Sequence, residues 1–283
     1  MTQQKIDRKI KSGCGAGVRE GYTPWIKVWE IKSRGVSHIV ASMKFQRAHH
    51  LLSNAERDFH LILEQDPSII DIREQFPLLT QAETHAIASS LNYRHPVYPG
   101  TNVLVVMTTD FLVTFIDSDG EERLAARSVK YRKEFEDADL PKQRRMEEKL
   151  EIEEKYWSTR KVPWKLVLHE NLPHTKISNL VILRTYAKIH PSLPTDKNIS
   201  NLVDFLVGSE TDQIPLKALL ERASRAIFIE YKGVKRLFHY LLWTGKLKAD
   251  LTSSVISLSQ PLRVWASESP TPVTSKSEVS RHA

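Results

Sequence analysis

The amino-acid sequence predicts an α/β protein: a mixed sheet flanked by helices, followed by a helical region that closes on a small hairpin. Three observations carry this reading. Two extended runs, NVLVVMTTDFLVTFI and EERLAARSVKYR, flank the turn DSDG (Asp117 to Gly120) and read as a β-hairpin. A strongly charged helical stretch, RRMEEKLEIEEKYW, separates that hairpin from a short extended segment, VPWKLVL. This strand–hairpin–helix–strand order is that of a sheet with helices packed on it. After Glu170 the patterns become helical.

Taken in order, the chain opens on a basic segment, MTQQKIDRKIKSG, which lacks the apolar stretch of a secretory signal. Four of the ten glycines fall within GCGAGVREG, Gly13 to Gly21. No apolar strand precedes them and no GK[ST] follows, so they form neither a dinucleotide nor a P-loop fingerprint. They read as a flexible loop, with contact to a DNA backbone as the alternative. WIKVWEI (Trp25 to Ile31) alternates as a strand does, Ser33-Arg34-Gly35 supplies a turn, and HIVASMKF continues the pairing. Ser53 is the N-cap of a helix running to about Gln65, with Phe59, Ile62 and Leu63 on its buried side. SIIDIREQF is a further strand, closed by Pro77. In the charged helix after Pro141, Met146, Leu150 and Trp157 fall on one face.

Helical patterns from Leu172 to about Arg222 are broken by Pro191, Pro194 and GSETDQIP. A helix over GVKRLFHYLLWT (Gly233 to Thr244) and two short extended pieces, KLKADL and PLRVWA, complete the layout of a winged helix-turn-helix. The expected domains are therefore 1–168 and 169–266. The Ser/Thr/Pro-rich tail, 267–283, is expected to be disordered.

Composition excludes several classes. Lys and Arg number 41 against 34 Asp and Glu, a formal charge of +7 that permits a nucleic-acid or anionic-membrane partner without requiring one. No apolar run is long enough to span a membrane. The single cysteine, Cys14, rules out an intrachain disulfide framework and multi-Cys zinc sites. The histidines show no metal-ligand spacing. A cytoplasmic globular protein is expected.

The hairpin carries the first candidate site. With its loop centred near residues 118 to 119, opposed residues have numbers summing to about 237, so Asp110 lies near Arg127 and within a few residues of Lys130. Ser128 and Lys130 share a face. A carboxylate and a lysine at one end of neighbouring strands suit metal-dependent phosphodiester hydrolysis, the carboxylate holding a hard cation and the lysine steadying the attacking water or developing charge. Capped strand ends on a surface hairpin are the plain alternative. Glu153, between Leu150 and Trp157, points at least partly inward, where a carboxylate needs a lysine or metal beside it; a flanking residue of a broad charged helix is the alternative. Glu56 fits the capping box Ser53-Asn54-Ala55-Glu56, bonding back to the Ser53 amide, or else is carried by its helix to the strand end where Asp110 sits. Between Arg225 and Lys248, six basic residues stand against Glu230 alone, a net of +5. Lys232, Lys235, Arg236, Lys246 and Lys248 are candidate DNA-binding residues on a helix that could enter a major groove; a solvated helix with core aromatics is the alternative.

Together, Glu56, Asp110, Ser128-x-Lys130 and Glu153 resemble a PD-(D/E)xK (restriction-endonuclease-like) nuclease pattern. More specifically, YTPWIKVWEI, HHLLSNAE, IIDIREQFPLL, TTDFLV, SVK and EEKLEIEEKYW followed by VPW resemble the TnsA-type endonuclease subunits of heteromeric bacterial transposases of the Tn-seven type. The resemblance covers most of residues 1–168 and extends more loosely over 173–265. It implies Glu56, Asp110 and Lys130 as the catalytic set, and Mg²⁺ as cofactor with Mn²⁺ able to substitute. The implied metal-binding positions are Glu56, Asp110, Ser128, the Val129 backbone carbonyl and Glu153. Ser128 stands where the general pattern has an acidic residue, and a hydroxyl is a poorer ligand. The resemblance further implies cutting of the strands at the 5′ ends of a transposon, in double-stranded DNA, beside a TnsB-like transposase that handles the 3′ ends and under a TnsC-like ATPase. The setting is the bacterial cytoplasm, at the nucleoid during transposition. A stand-alone restriction- or resolvase-type nuclease and a non-catalytic DNA-binding adaptor are the alternatives.

Overall fold

The computed structural model describes residues 1–31, 35–209 and 212–267. The expected Ser33-Arg34 turn and almost all of the expected disordered tail lie outside the described residues. Two compact units divide at Thr185/Tyr186, later than the expected boundary after residue 168.

The first unit opens with helix α1 (Gln3–Lys11), capped by Thr2, whose Ile6 packs with Trp25 and Val106. WIKVWEI is not the expected strand. Trp25 is buried in that cluster, Val28–Glu30 makes one turn of 3-10 helix, and the Glu30 carboxylate accepts from the Lys27 amide while pairing with Lys9. These contacts from α1 override the alternation and leave Trp29 exposed. The hairpin lies one segment later, where β1 (His38–Ala41) pairs antiparallel with β2 (Ala48–Leu51). The glycine stretch is built into tight turns. The Gly15 N–H donates to the Thr23 carbonyl at 2.6 Å, and a Cβ on Gly15, held at φ +81°, would overlap Pro77.

Helix α2 (Asn54–Gln65) begins at Ser53, whose hydroxyl accepts from the Glu56 amide. It buries Phe59 and Leu63, with Ile62 half-buried. Strand β3 (Ile69–Pro77), helix α3 (Gln81–Ser90), strands β4 (Thr108–Ile116) and β5 (Glu122–Lys130), helices α4 (Arg132–Glu136) and α5 (Leu140–Thr159), strand β6 (Trp164–Leu168) and helix α6 (His174–Arg184) follow. The strands form one mixed sheet in the order β3-β4-β5-β6, antiparallel except for the parallel β5–β6 pair. The expected extended run from Asn102 joins the sheet only from Thr108; before that, Leu104 makes an isolated bridge to Val97. Helix α6 packs on α2, which draws it into the first unit.

Helices cover both faces of the sheet. On one, Phe59 of α2 meets Phe111 of β4 with ring centroids 5.6 Å apart. On the other, Leu112 and Ala126 pack with Ile87 and Ala88 of α3 and Ile152, Tyr156 and Trp157 of α5. The buried face of α5 is thus Ile152, Glu153, Tyr156 and Trp157. Met146 and Leu150, expected on it, are only half-buried, on a half of the helix where Arg145 and Glu148 pair with each other.

The β4–β5 register corrects another expectation. Phe111 pairs with Arg127 and Ile116 with Glu122, so opposed numbers sum to 238. Gly120, left-handed at φ +83°, adds a residue to the turn and moves its centre. Continued by one pair, this register sets Asp110 opposite Ser128, one residue beyond Arg127. Asp110, Ser128 and Lys130 therefore share a face, the one covered by α5.

The second unit contains helices α7 (Asp196–Val207), α8 (Leu216–Ile227) and α9 (Tyr231–Trp243) and an antiparallel pair, β7 (Leu247–Ala249) with β8 (Val264–Ala266). Leu202, Leu206, Leu219, Leu220, Val234, Leu237, Phe238 and Leu241 supply its core. Among the described residues no helix is long and apolar enough to cross a membrane.

Candidate active site

Asp110 and Lys130 meet at the ends of β4 and β5. Lys130 Nζ donates to Asp110 Oδ2 at 2.8 Å, and the Val129 amide donates to the same oxygen at 2.7 Å. Lys130 Nζ also donates to the Val129 carbonyl at 3.1 Å. Burial alone would lower the Lys130 pKa, but Asp110 above all, then Glu56 and Glu153, raise it above the ordinary lysine value. The ammonium is therefore firmly protonated.

Glu153 enters from α5. Its Oε1 accepts from Ser128 Oγ at 2.5 Å, Thr109 Oγ1 at 2.6 Å and Trp164 Nε1 at 3.0 Å, while Trp157 Nε1 donates to Thr109 Oγ1 at 2.6 Å. Burial, and after it the Asp110 carboxylate, push the Glu153 carboxyl up to about 7 in spite of these donors.

Glu56 enters from the opposite side, at the start of α2. The expected return bond to the Ser53 amide is not formed. Instead Leu52 N–H donates to Oε2 at 2.9 Å and the Ser53 hydroxyl to Oε1 at 3.0 Å, because the side chain reaches one residue further back along the chain. A third donor comes from the sheet, Gln75 Nε2 to Oε2 at 3.1 Å. Burial, then Asp110, push Glu56 up to about 7 as well. The cap geometry and the approach to Asp110 coexist in one side chain.

The donor chemistry fits a hard divalent cation, since every candidate group binds through oxygen. Among the described residues no three His, Cys, Asp or Glu side chains already form a metal-holding cluster. What is present is a pair of buried carboxylates, Glu56 and Glu153, each raised by burial and by facing Asp110. A cation would relieve that repulsion. Asp110 Oδ2 and the Val129 carbonyl are engaged by Lys130, and the Ser128 hydroxyl by Glu153.

Sequence reasoning missed Gln75, Thr109 and Trp164. The available signal was DIREQ within β3: polar and charged residues in a strand between two helical layers need partners, and Asp71 to Gln75 are all buried. The candidate DNA-binding residues lie in the second unit. Lys232, Arg236, Lys246 and Lys248 are exposed and Lys235 half-buried, whereas Phe238 and Trp243 go to the core.

Residues 66–169, which hold all of this site except Glu56 and its helix, match the family model described as TnsA-like endonuclease N terminal. This match identifies the mixed-sheet region as a TnsA-like endonuclease N-terminal domain. Transposon Tn7 transposition protein TnsA of Escherichia coli is 42% identical over 239 residues, covering 84% of this chain and 75% of that protein. The chain belongs to the TnsA family.

Proposed function

We propose that this chain is the metal-dependent DNA endonuclease subunit of a transposase, hydrolysing the strands at the 5′ ends of a transposon. A TnsB-like transposase acts with it on the 3′ ends, and a TnsC-like ATPase regulates both. The observation that carries the reading is the Lys130–Asp110 pair at 2.8 Å, flanked by the buried Glu56 and Glu153. The sequence identity to a transposition protein supports the setting. Mg²⁺, or Mn²⁺ in its place, would be held by Asp110, Glu56 and Glu153, with the Ser128 hydroxyl and Val129 carbonyl as weaker donors. When bound it would polarise the scissile phosphate and lower the pKa of water.

The chain's own groups do the rest. The Val129 amide and Lys130 fix Asp110 from two directions, so the carboxylate keeps one orientation. Lys130, held protonated, stabilises negative charge developing on the phosphate and orients the attacking water. Thr109, Ser128 and Trp164 hold Glu153 on one oxygen, leaving its direction set by β4, β5 and β6. In the second unit, the exposed basic side of α9 and the β7–β8 hairpin support a winged-helix role in phosphate contact.

In a complex reconstituted with its transposase, Asp110→Ala and Lys130→Ala should each abolish 5′-strand cutting while 3′ joining persists, shifting products from simple insertions to cointegrates. Unchanged 5′ cutting in both variants overturns the site assignment. Efficient cutting by the isolated chain would favour the stand-alone nuclease instead.

A further inference from the structure

Gln75 holds an unusual place in the sheet. Its neighbours Glu74 and Phe76 pair with Phe111 and Thr109, so Gln75 faces Asp110 across β3–β4. Its backbone is left-handed at φ +50°, a conformation a non-glycine residue inside a strand adopts only when its surroundings impose it. Those surroundings are visible. The Gln75 carbonyl accepts from the Trp25 amide at 3.2 Å, the Glu74 carbonyl accepts from the Tyr22 hydroxyl at 2.9 Å, and the Glu74 carboxylate is clamped by Arg47. The kink turns the Gln75 side chain, 2% exposed, onto Glu56 Oε2 at 3.1 Å. Of the three donors to Glu56, the Leu52 amide and Ser53 hydroxyl belong to its own helix start. Gln75 is the one that ties it to the strand beside Asp110.

We propose that Gln75 is a positioning residue of the nuclease site: its amide, delivered by the left-handed turn in β3, converts Glu56 from a helix cap into a carboxylate fixed toward Asp110. The proposal rests on the reading of Glu56 as a metal-holding residue given above. Glycine adopts the same backbone without strain, so Gln75→Gly removes the amide while keeping the kink.

The test measures Mn²⁺ binding by calorimetry in the full chain, for wild type, Gln75→Gly, Glu56→Gln and the double variant, with melting temperatures recorded without metal. Removing a partner that orients a metal ligand typically weakens metal affinity 10–100-fold, so Gln75→Gly should lose about tenfold. In the Glu56→Gln background the same change should cost no more than about twofold, since the group it orients is already gone. A folded Gln75→Gly that binds Mn²⁺ like wild type overturns the proposal, as does an equal loss in both backgrounds, the mark of a merely structural residue. If instead Glu56→Gln binds Mn²⁺ as tightly as wild type, the reading of Glu56 fails and the proposal with it. The single and double variants tell these failures apart.

Discussion

Glu153 receives three hydrogen bonds on one oxygen and still titrates near 7, because burial and the facing Asp110 outweigh the donors. The consequence for stability has a definite sign. A carboxyl whose folded pKa is raised from 4.5 to about 7 stabilises the fold below 4.5, and that contribution is lost as pH rises through 7. Glu153→Gln keeps the shape and cannot ionise. Without metal, the variant should match wild type near pH 5 and exceed it near pH 8 by on the order of 2 kcal/mol, as urea unfolding at the two pH values would show. A difference independent of pH contradicts the account. Adding Mn²⁺ should stabilise wild type more than the variant, because a cation offsets the same repulsion. The inward phase of Glu153 is legible in its spacing from Leu150 and Trp157. Its donors are not, because Thr109, Ser128 and Trp164 come from three strands whose register no local pattern fixes.

At the scale of elements, β3 is held to β2 by charge as much as by apolar packing. Glu74, fully buried, accepts from both Arg47 terminal nitrogens at 2.9 Å, from His49 Nδ1 at 2.8 Å and from the His50 amide at 3.1 Å, and Arg47 also bonds the Ile72 carbonyl. Against the effect of burial, His49 and Arg47 hold Glu74 down at about 2. Its contribution is therefore present above pH 4.5 and is lost as pH falls toward 2, the opposite sense to Glu153. Breaking such a pair strands a buried charge, so Glu74→Leu and Arg47→Met should each cost about 3–5 kcal/mol in urea unfolding at neutral pH. The double variant should recover most of that loss, and additive losses would show that the pairing is not what stabilises this edge. The strand itself is legible as SIIDIREQF closed by proline, and so are the helix after Ser53 and the hairpin around DSDG. What fails is WIKVWEI, whose alternation is genuine but is overruled by Lys9 and by the burial of Trp25. Both act from α1, outside any window that alternation can see. The β4–β5 register misses by one residue for a smaller reason, the left-handed Gly120, and that one residue decides which side chain faces Asp110.

For the whole molecule, the net charge of +7 matters less than where it falls. Residues 1–35 carry eight basic and three acidic side chains, and residues 225–248 carry six and one, so each stretch has a net of +5 and the remainder of the chain is net acidic by 3. Asp110, Glu56 and Glu153 belong to that remainder. In the second unit the charge is sorted by side: Gly233, Val234, Leu237, Phe238, Leu241 and Leu242 of α9 are buried, while Lys232 and Arg236 are exposed, as are Lys246 and Lys248 around β7. Of the aromatic residues that interleave with the basic ones in sequence, Phe238 and Trp243 are withdrawn into the core, Tyr231 and Tyr240 are half-buried and Phe228 is exposed. On the proposed DNA-binding reading, the exposed basic side of α9 would pair with phosphates, an interaction insensitive to sequence and sensitive to salt. Replacing Lys235 and Arg236 with alanine should therefore weaken DNA binding by similar factors on specific and unrelated duplexes. It should also flatten the plot of log affinity against log salt by about one unit of slope for each phosphate that the variant no longer neutralises. A fall in affinity confined to one sequence would mean direct base reading by α9, and an unchanged slope would assign this basic side to a protein partner. The same measurement on Asp110→Ala, which alters the acidic site and leaves α9 intact, should show an undiminished slope.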